Sequence, residues 1–146
     1  MAWEAVIVEL QSGMNAVDFT VTDSLGISKG TLMSAVEPRS AINTGGLNKD
    51  GTGTTGRDAF AGIANADKEA SDGAVNLGLH QTGIFDLRAT TGAAITAGQR
   101  VVMSGANLVT GMTNPADLSL GYVVGTALEA TAAGTAETIE VDIGRR

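Results

Sequence analysis

Between Phe60 and Gly144 one apolar–polar phrase is written twice. The first copy runs Phe60-Ala61-Gly62-Ile63-Ala64, then a polar stretch to Asp72-Gly73, then Val75-Asn76-Leu77-Gly78-Leu79. The second runs Val123-Val124-Gly125-Thr126-Ala127-Leu128, then small residues around Gly134, then Ile139-Glu140-Val141-Asp142-Ile143. Each predicts an apolar strand, a polar connection and a strand whose side chains alternate between two faces. With one inserted residue allowed, Gly62 and Ala64 match Gly125 and Ala127, and Val75, Leu77 and Leu79 match Ile139, Val141 and Ile143. The phrase contains no converging polar groups, so it supplies scaffold and surface, not catalysis.

The rest of the chain predicts more short strands. Asp18–Asp23 alternates, with Phe19 and Val21 on one face. Gly26 and Gly30 bracket a tight connection into a strand over 31–36, which Pro38 stops. Gly83–Ala89 alternates again, and Gln81-Thr82-Gly83 is short enough to join it to 75–79 as a hairpin. Residues 94–102 read as a loop that delivers a strand past Gly98, and Asn107-Leu108-Val109 reads as its return. Asn114-Pro115 starts a helix of one or two turns, with Asn as cap and Pro first in the helix. The expected fold is all-β: a small barrel or sandwich of eight to ten short antiparallel strands, with little helix. Residues 1–17 form an N-terminal arm or first strand, because Val6-Ile7-Val8 suits burial on both faces or addition to a sheet edge. Residues 18–146 form one β-rich domain, and the Gly/Thr-rich stretch 43–57 is an excursion loop.

Composition narrows the function. The apolar content leans on Ala and Gly, and the aromatics are only Trp3, Phe19, Phe60, Phe85 and Tyr122. Such a core leaves a narrow margin over chain entropy, which favours completion by neighbouring subunits. A net charge of −7 with scattered basic residues opposes nucleic-acid binding. Cysteine is absent, which excludes disulfide and thiolate chemistry. No apolar run is long enough to span a membrane, and the acidic start with Glu4 and Glu9 lacks the basic region of a signal peptide.

Candidate chemistry is sparse. Gly51-Thr-Gly53-Thr-Thr-Gly56 matches the letters of a dinucleotide fingerprint but lacks the preceding strand and following helix. His80 is the only histidine, so it has no second His or Cys to share a metal, although Asp86 would face it across the expected hairpin. Asp67, Glu69 and Asp72 read as a solvated turn, and Asn48–Gly51 lacks the later ligands of a calcium loop. No catalytic, cofactor-binding or metal-ligating residue is assigned.

Several motifs in order, namely Lys29-Gly30-Thr31-Leu32, Phe60–Ala64, Gly83–Asp86, Ala94–Gly98, Gly121–Ala130 and Ile139–Ile143, resemble the capsid decoration, or cement, proteins of tailed bacteriophages over roughly residues 26–144. The resemblance implies a non-enzymatic virion protein, commonly trimeric. Such a protein is made in the host cytoplasm and bound outside an icosahedral head, where it reinforces the major capsid protein. It implies no cofactor, nucleic acid or membrane partner. The expected contact to capsid or subunit is the arm at Met1, Ala2, Trp3 and Glu4, because Trp buries a large rigid area at low entropic cost. The rival readings are another virion module, such as a head-fibre base or a tail-tube-like unit, and a small binding or enzyme domain using loop 43–57 and His80.

Overall fold

The computed structural model describes residues 3–9, 16–36, 40–43, 59–90, 92, 94–133 and 137–144. The fold is all-β, as expected. Eleven strands and one helix are described: β1 Val6–Glu9, β2 Val17–Thr20, β3 Leu32–Val36, β4 Ser40–Asn43, β5 Phe60–Ala64, β6 Asn76–His80, β7 Ile84–Ala89, β8 Arg100–Gly105, β9 Leu108–Gly111, α1 Ala116–Ser119, β10 Val123–Ala127 and β11 Thr138–Asp142. The helix begins one residue later than Asn114-Pro115 suggested, since Pro115 and not Asn114 is its N-cap, and the Ala116 N–H donates to Asn114 Oδ1 at 3.1 Å. The excursion loop, after Asn43, and the fingerprint-like 51–56 lie outside the described residues.

The strands form two rings of the same topology. β2-β4-β3-β5-β6 is a closed barrel. β7-β9-β8-β10-β11 repeats those pairings one for one, with β1 added on the outside of β7. The closures β2–β4 and β7–β9 are parallel, although the sequence pattern predicted antiparallel neighbours throughout. The equivalence holds residue by residue. Thr20 opposite Ser40 becomes Arg88 opposite Leu108. Met33 lies opposite Gly62 and Ser34 opposite Phe60, with Ala61 bulged out. Val101 lies opposite Gly125 and Val102 opposite Val123, with Val124 bulged out in the same way. The bridge between Ile27 and Lys68 recurs as Ile95 with Thr131. Gly30 and Gly98 share a φ of +88°, and their N–H groups donate to the equivalent carbonyls of Ala64 and Ala127. The molecule is thus a duplicated five-stranded barrel.

Duplication corrects two readings of the sequence. The repeat frame shifts by two residues in its last strand. Ala64 faces Leu79 and Ala127 faces Val141, so Leu79 corresponds to Val141, not to Ile143. Strict alternation cannot distinguish a two-residue slip, since both frames keep every side chain on its face. Residues 81–83 are also not a hairpin turn. β6 pairs with β5 and β2, whereas β7 pairs with β11, β1 and β9. The segment is the crossing from the first barrel to the second.

Each barrel is filled by its inward residues. Val21, Ile27, Met33, Ala41, Ala61 and Leu79 form the first interior. Their equivalents Ala89, Ile95, Val101, Val109, Val124 and Val141 fill the second. A further set has no interior role in either barrel. Leu32, Phe60 and Ile63 point out of the first barrel, yet they share one buried cluster with Phe85, Ile143 and Ala5. Leu32, Ile63 and Phe85 are fully buried there. Burying side chains of that size stabilises by about 1.5–3 kcal/mol each, which makes this apolar junction the main bond between the barrels. One polar contact locks it: the Leu32 N–H donates to Asn107 Oδ1, on the β8–β9 turn, at 2.9 Å. Asn107 is buried and holds φ +56°, a conformation its short amide side chain tolerates.

Candidate functional site

β1 leaves much of its apolar surface exposed. It runs antiparallel to the first half of β7, with Val6 opposite Asp86 and Ile7 opposite Phe85. Its start is pinned to the first barrel, where the Ala5 N–H donates to the Gly30 carbonyl at 2.6 Å. Gly30 is required there, since a Cβ would strike the Ala5 carbonyl. Ile7 packs against the shared core, while Val6 and Val8 remain 60% and 44% exposed. The double-faced burial that Val6-Ile7-Val8 suits is therefore half satisfied. Trp3, just before the strand, is 56% exposed. The Arg88 guanidinium lies 4.3 Å from its ring centroid, so the indole is held by a cation–π contact and still presents surface.

Of the expected contact residues, Trp3 and Glu4 are described, and Met1 and Ala2 lie outside the described residues. Glu4 is half-buried and lines a cleft of about 490 Å³ between β1 and the first barrel, together with Ile7, Lys29, Ala64 and Phe85. Sequence reasoning missed Arg88, the partner of Trp3. Only the β1–β7 register, which joins segments about eighty residues apart, reveals it. The other exposed large apolar side chains, Val75, Leu118, Leu120 and Leu128, belong to other parts of the chain.

The residues weighed for chemistry have structural work instead. His80 lies at the barrel crossing, its ring 5.7 Å from that of Phe85. Burial, with Lys29 nearby, pushes its pKa below the ordinary 6.5. β6 and β7 are in different barrels, so the hairpin that would set Asp86 against His80 does not exist. The acidic turn at 67–72 is not merely solvated, because it encloses Lys68, whose side chain is only 2% exposed. The ammonium donates to the carbonyls of Asp23, Leu25 and Glu69 at 2.8, 3.0 and 3.1 Å. Asp72 Oδ1 lies 3.2 Å and Asp23 Oδ1 3.9 Å from it. Asp72 accepts from the Ala74 N–H, which with Lys68 holds its pKa below the ordinary carboxylate value. Asp67 accepts from the Lys29 N–H at 2.7 Å. These carboxylates bind protein donors, and among the described residues no group of three or more His, Cys, Asp or Glu is arranged to hold a metal.

The most exposed apolar side chains among the described residues are Val6 of β1 and Trp3 just before it. A family model described as phage cement protein matches residues 10–143. The matched span covers both barrels and begins just after β1. No curated protein sequence matches the chain.

Proposed function

This chain belongs to the phage cement proteins, a family of structural virion proteins, and on that premise we propose that it binds the outer surface of an icosahedral head as a homotrimer and reinforces the major capsid protein lattice. The carrying observation is the incompletely buried N-terminal strand. Val6, Val8 and Trp3 present apolar surface at an edge pinned to both barrels, which is the composition of an interface anchor. The arm at Met1–Glu4 makes the capsid contact, and the barrels are the rigid spacer that transmits it. A net charge of −7 keeps such a protein soluble and unattracted to packaged DNA. The role requires no catalysis.

The test is co-sedimentation with purified capsids before and after expansion, and capsid melting with and without the protein. The full chain should bind and raise the temperature of capsid disruption. Deleting Met1–Glu4 should weaken binding while the free protein melts within a few degrees of the full chain, since the lost cation–π contact is worth only about 0.5–1 kcal/mol at an exposed site. Equal binding and reinforcement by the truncated protein would remove the arm from the contact. Failure of the full chain to bind any capsid form would refute the function.

A further inference from the structure

On one face of the second barrel, apolar and acidic side chains stand in a single row across the sheet. Val6 of β1 lies opposite Asp86 of β7, and Asp86 lies opposite Glu140 of β11. The row continues to Leu128, just after β10, whose N–H donates to the Glu140 carbonyl at 2.8 Å. Residues directly opposite on a ladder share a face. Their neighbours along each strand, namely Ile7, Phe85 and Leu87, Ile139 and Val141, and Ala127, turn the other way into the core. The row therefore looks outward, and Val6 and Leu128 are exposed at its two ends. Arg88, two residues beyond Asp86 on β7, is on this face as well and holds Trp3 beside it.

The middle of the row is electrostatically unfavourable in the free chain. Side chains directly opposite stand about 4.5–5.5 Å apart at their Cβ atoms, and like charges there repel. Among the described residues neither Asp86 nor Glu140 has an ion-pair partner. Arg88 is stacked on Trp3, and Arg100 lies on β8, two strands from β11. Glu129 adds a third carboxylate, its Oε2 accepting from the Glu140 N–H at 3.0 Å.

We infer that this whole face docks on the capsid, and that its occupant is a protein segment with an apolar side chain against Val6 and Trp3 and lysine or arginine against Asp86 and Glu140. The inference rests on the capsid-binding reading above and names the chemistry of the partner. Charge complementarity selects that occupant. A segment without cations would leave two carboxylates desolvated and unpaired, whereas a basic one removes their repulsion on docking. An unfavourable pair kept in the free chain is the stability cost of a site used for binding.

The test compares the full chain with Asp86→Asn, Glu140→Gln and the double variant, by capsid co-sedimentation at rising salt and by melting of the free proteins. At low salt the double variant should bind about tenfold more weakly than the unaltered chain. Binding of the unaltered chain should weaken as salt rises from about 0.05 to about 0.5 M, and that of the double variant should change little. The free variants should melt at or above the temperature of the unaltered chain, because a repulsion has been removed. Variants that bind like the unaltered chain at every salt concentration, while deletion of Met1–Glu4 still weakens binding, would overturn this partner chemistry and leave the arm contact standing. A fall of several degrees in the melting of both single variants would make the carboxylates part of the fold and overturn the inference. Failure of the unaltered chain to bind any capsid form would refute the capsid-binding reading itself, and this inference with it.

Discussion

Replacing Lys68 by Met keeps the aliphatic stem and removes the ammonium, and should be strongly damaging for a residue outside the apolar core. The ammonium makes three carbonyl bonds of 2.8, 3.0 and 3.1 Å and one carboxylate contact at 3.2 Å, tying the turn at 23–25 to the turn at 67–72. Hydrogen bonds to charged groups are worth about 1.5–3 kcal/mol each, so a plain sum overshoots. Two effects reduce it. The ammonium no longer has to be desolvated, and the carboxylates of Asp23 and Asp72, at 44% and 31% exposure, are rehydrated once it is gone. That places the loss near 3 kcal/mol, the lower end for removing one partner of a buried pair. For a chain of this size the melting temperature should fall by about 6–10 °C. Urea unfolding should show the same loss at an unchanged slope, because the surface exposed on unfolding is the same. A loss below about 0.5 kcal/mol would mean that Lys68 behaves as an ordinary surface charge, and the enclosure described above would be wrong.

Acid should weaken the same region. The carboxyl of Asp72 titrates below its ordinary 3.8, so its contribution is complete above that value and is lost as pH falls through the lower folded value; Asp72→Asn should flatten this part of the stability–pH curve. His80 titrates below 6.5 because it is partly buried against the barrel crossing, so its neutral form stabilises the fold above pH 6.5, and that contribution fades as pH falls from there through the folded value. His80→Gln should remove this dependence, measured by urea unfolding from pH 7.5 to 5, and a curve unchanged by the substitution would refute the assignment. Gly125→Ala should destabilise by several kcal/mol, since its Cβ would strike the Asp142 carbonyl across the β10–β11 ladder, whereas Gly98→Ala meets open space and should cost about 1 kcal/mol for its positive φ. Equal melting temperatures for the two variants would refute that distinction.

Alternation alone determined most of the strands. Val21, Leu77 and Leu79, Phe85 and Leu87, and Ile139 and Val141 are buried, and Phe19 partly so, on the faces that period two assigns them. Repetition was legible where small residues recur, at Gly62 with Gly125 and Ala64 with Ala127, because close strand approach admits little else. The earlier parts of the two repeats share few identities, among them Asp18 with Asp86, Ile27 with Ile95 and Gly30 with Gly98, so the full duplication was not legible. A barrel interior asks only for apolar residues of suitable volume, and Met33 and Val101 meet that demand equally well. Turn length could not say whether 81–83 folds back or crosses over, since that depends on which distant edge each strand meets. Lys68 reads as a polar-loop lysine until Asp23 and Leu25, more than forty residues away, bring their carbonyls to it. Trp3 and Arg88 meet only through the pairing of β1 with β7. The sequence by itself determined which face each strand turns inward, because that is a local property of side-chain period. Tertiary structure decided which strands are neighbours, and so built the junction, the enclosed lysine and the half-covered N-terminal strand.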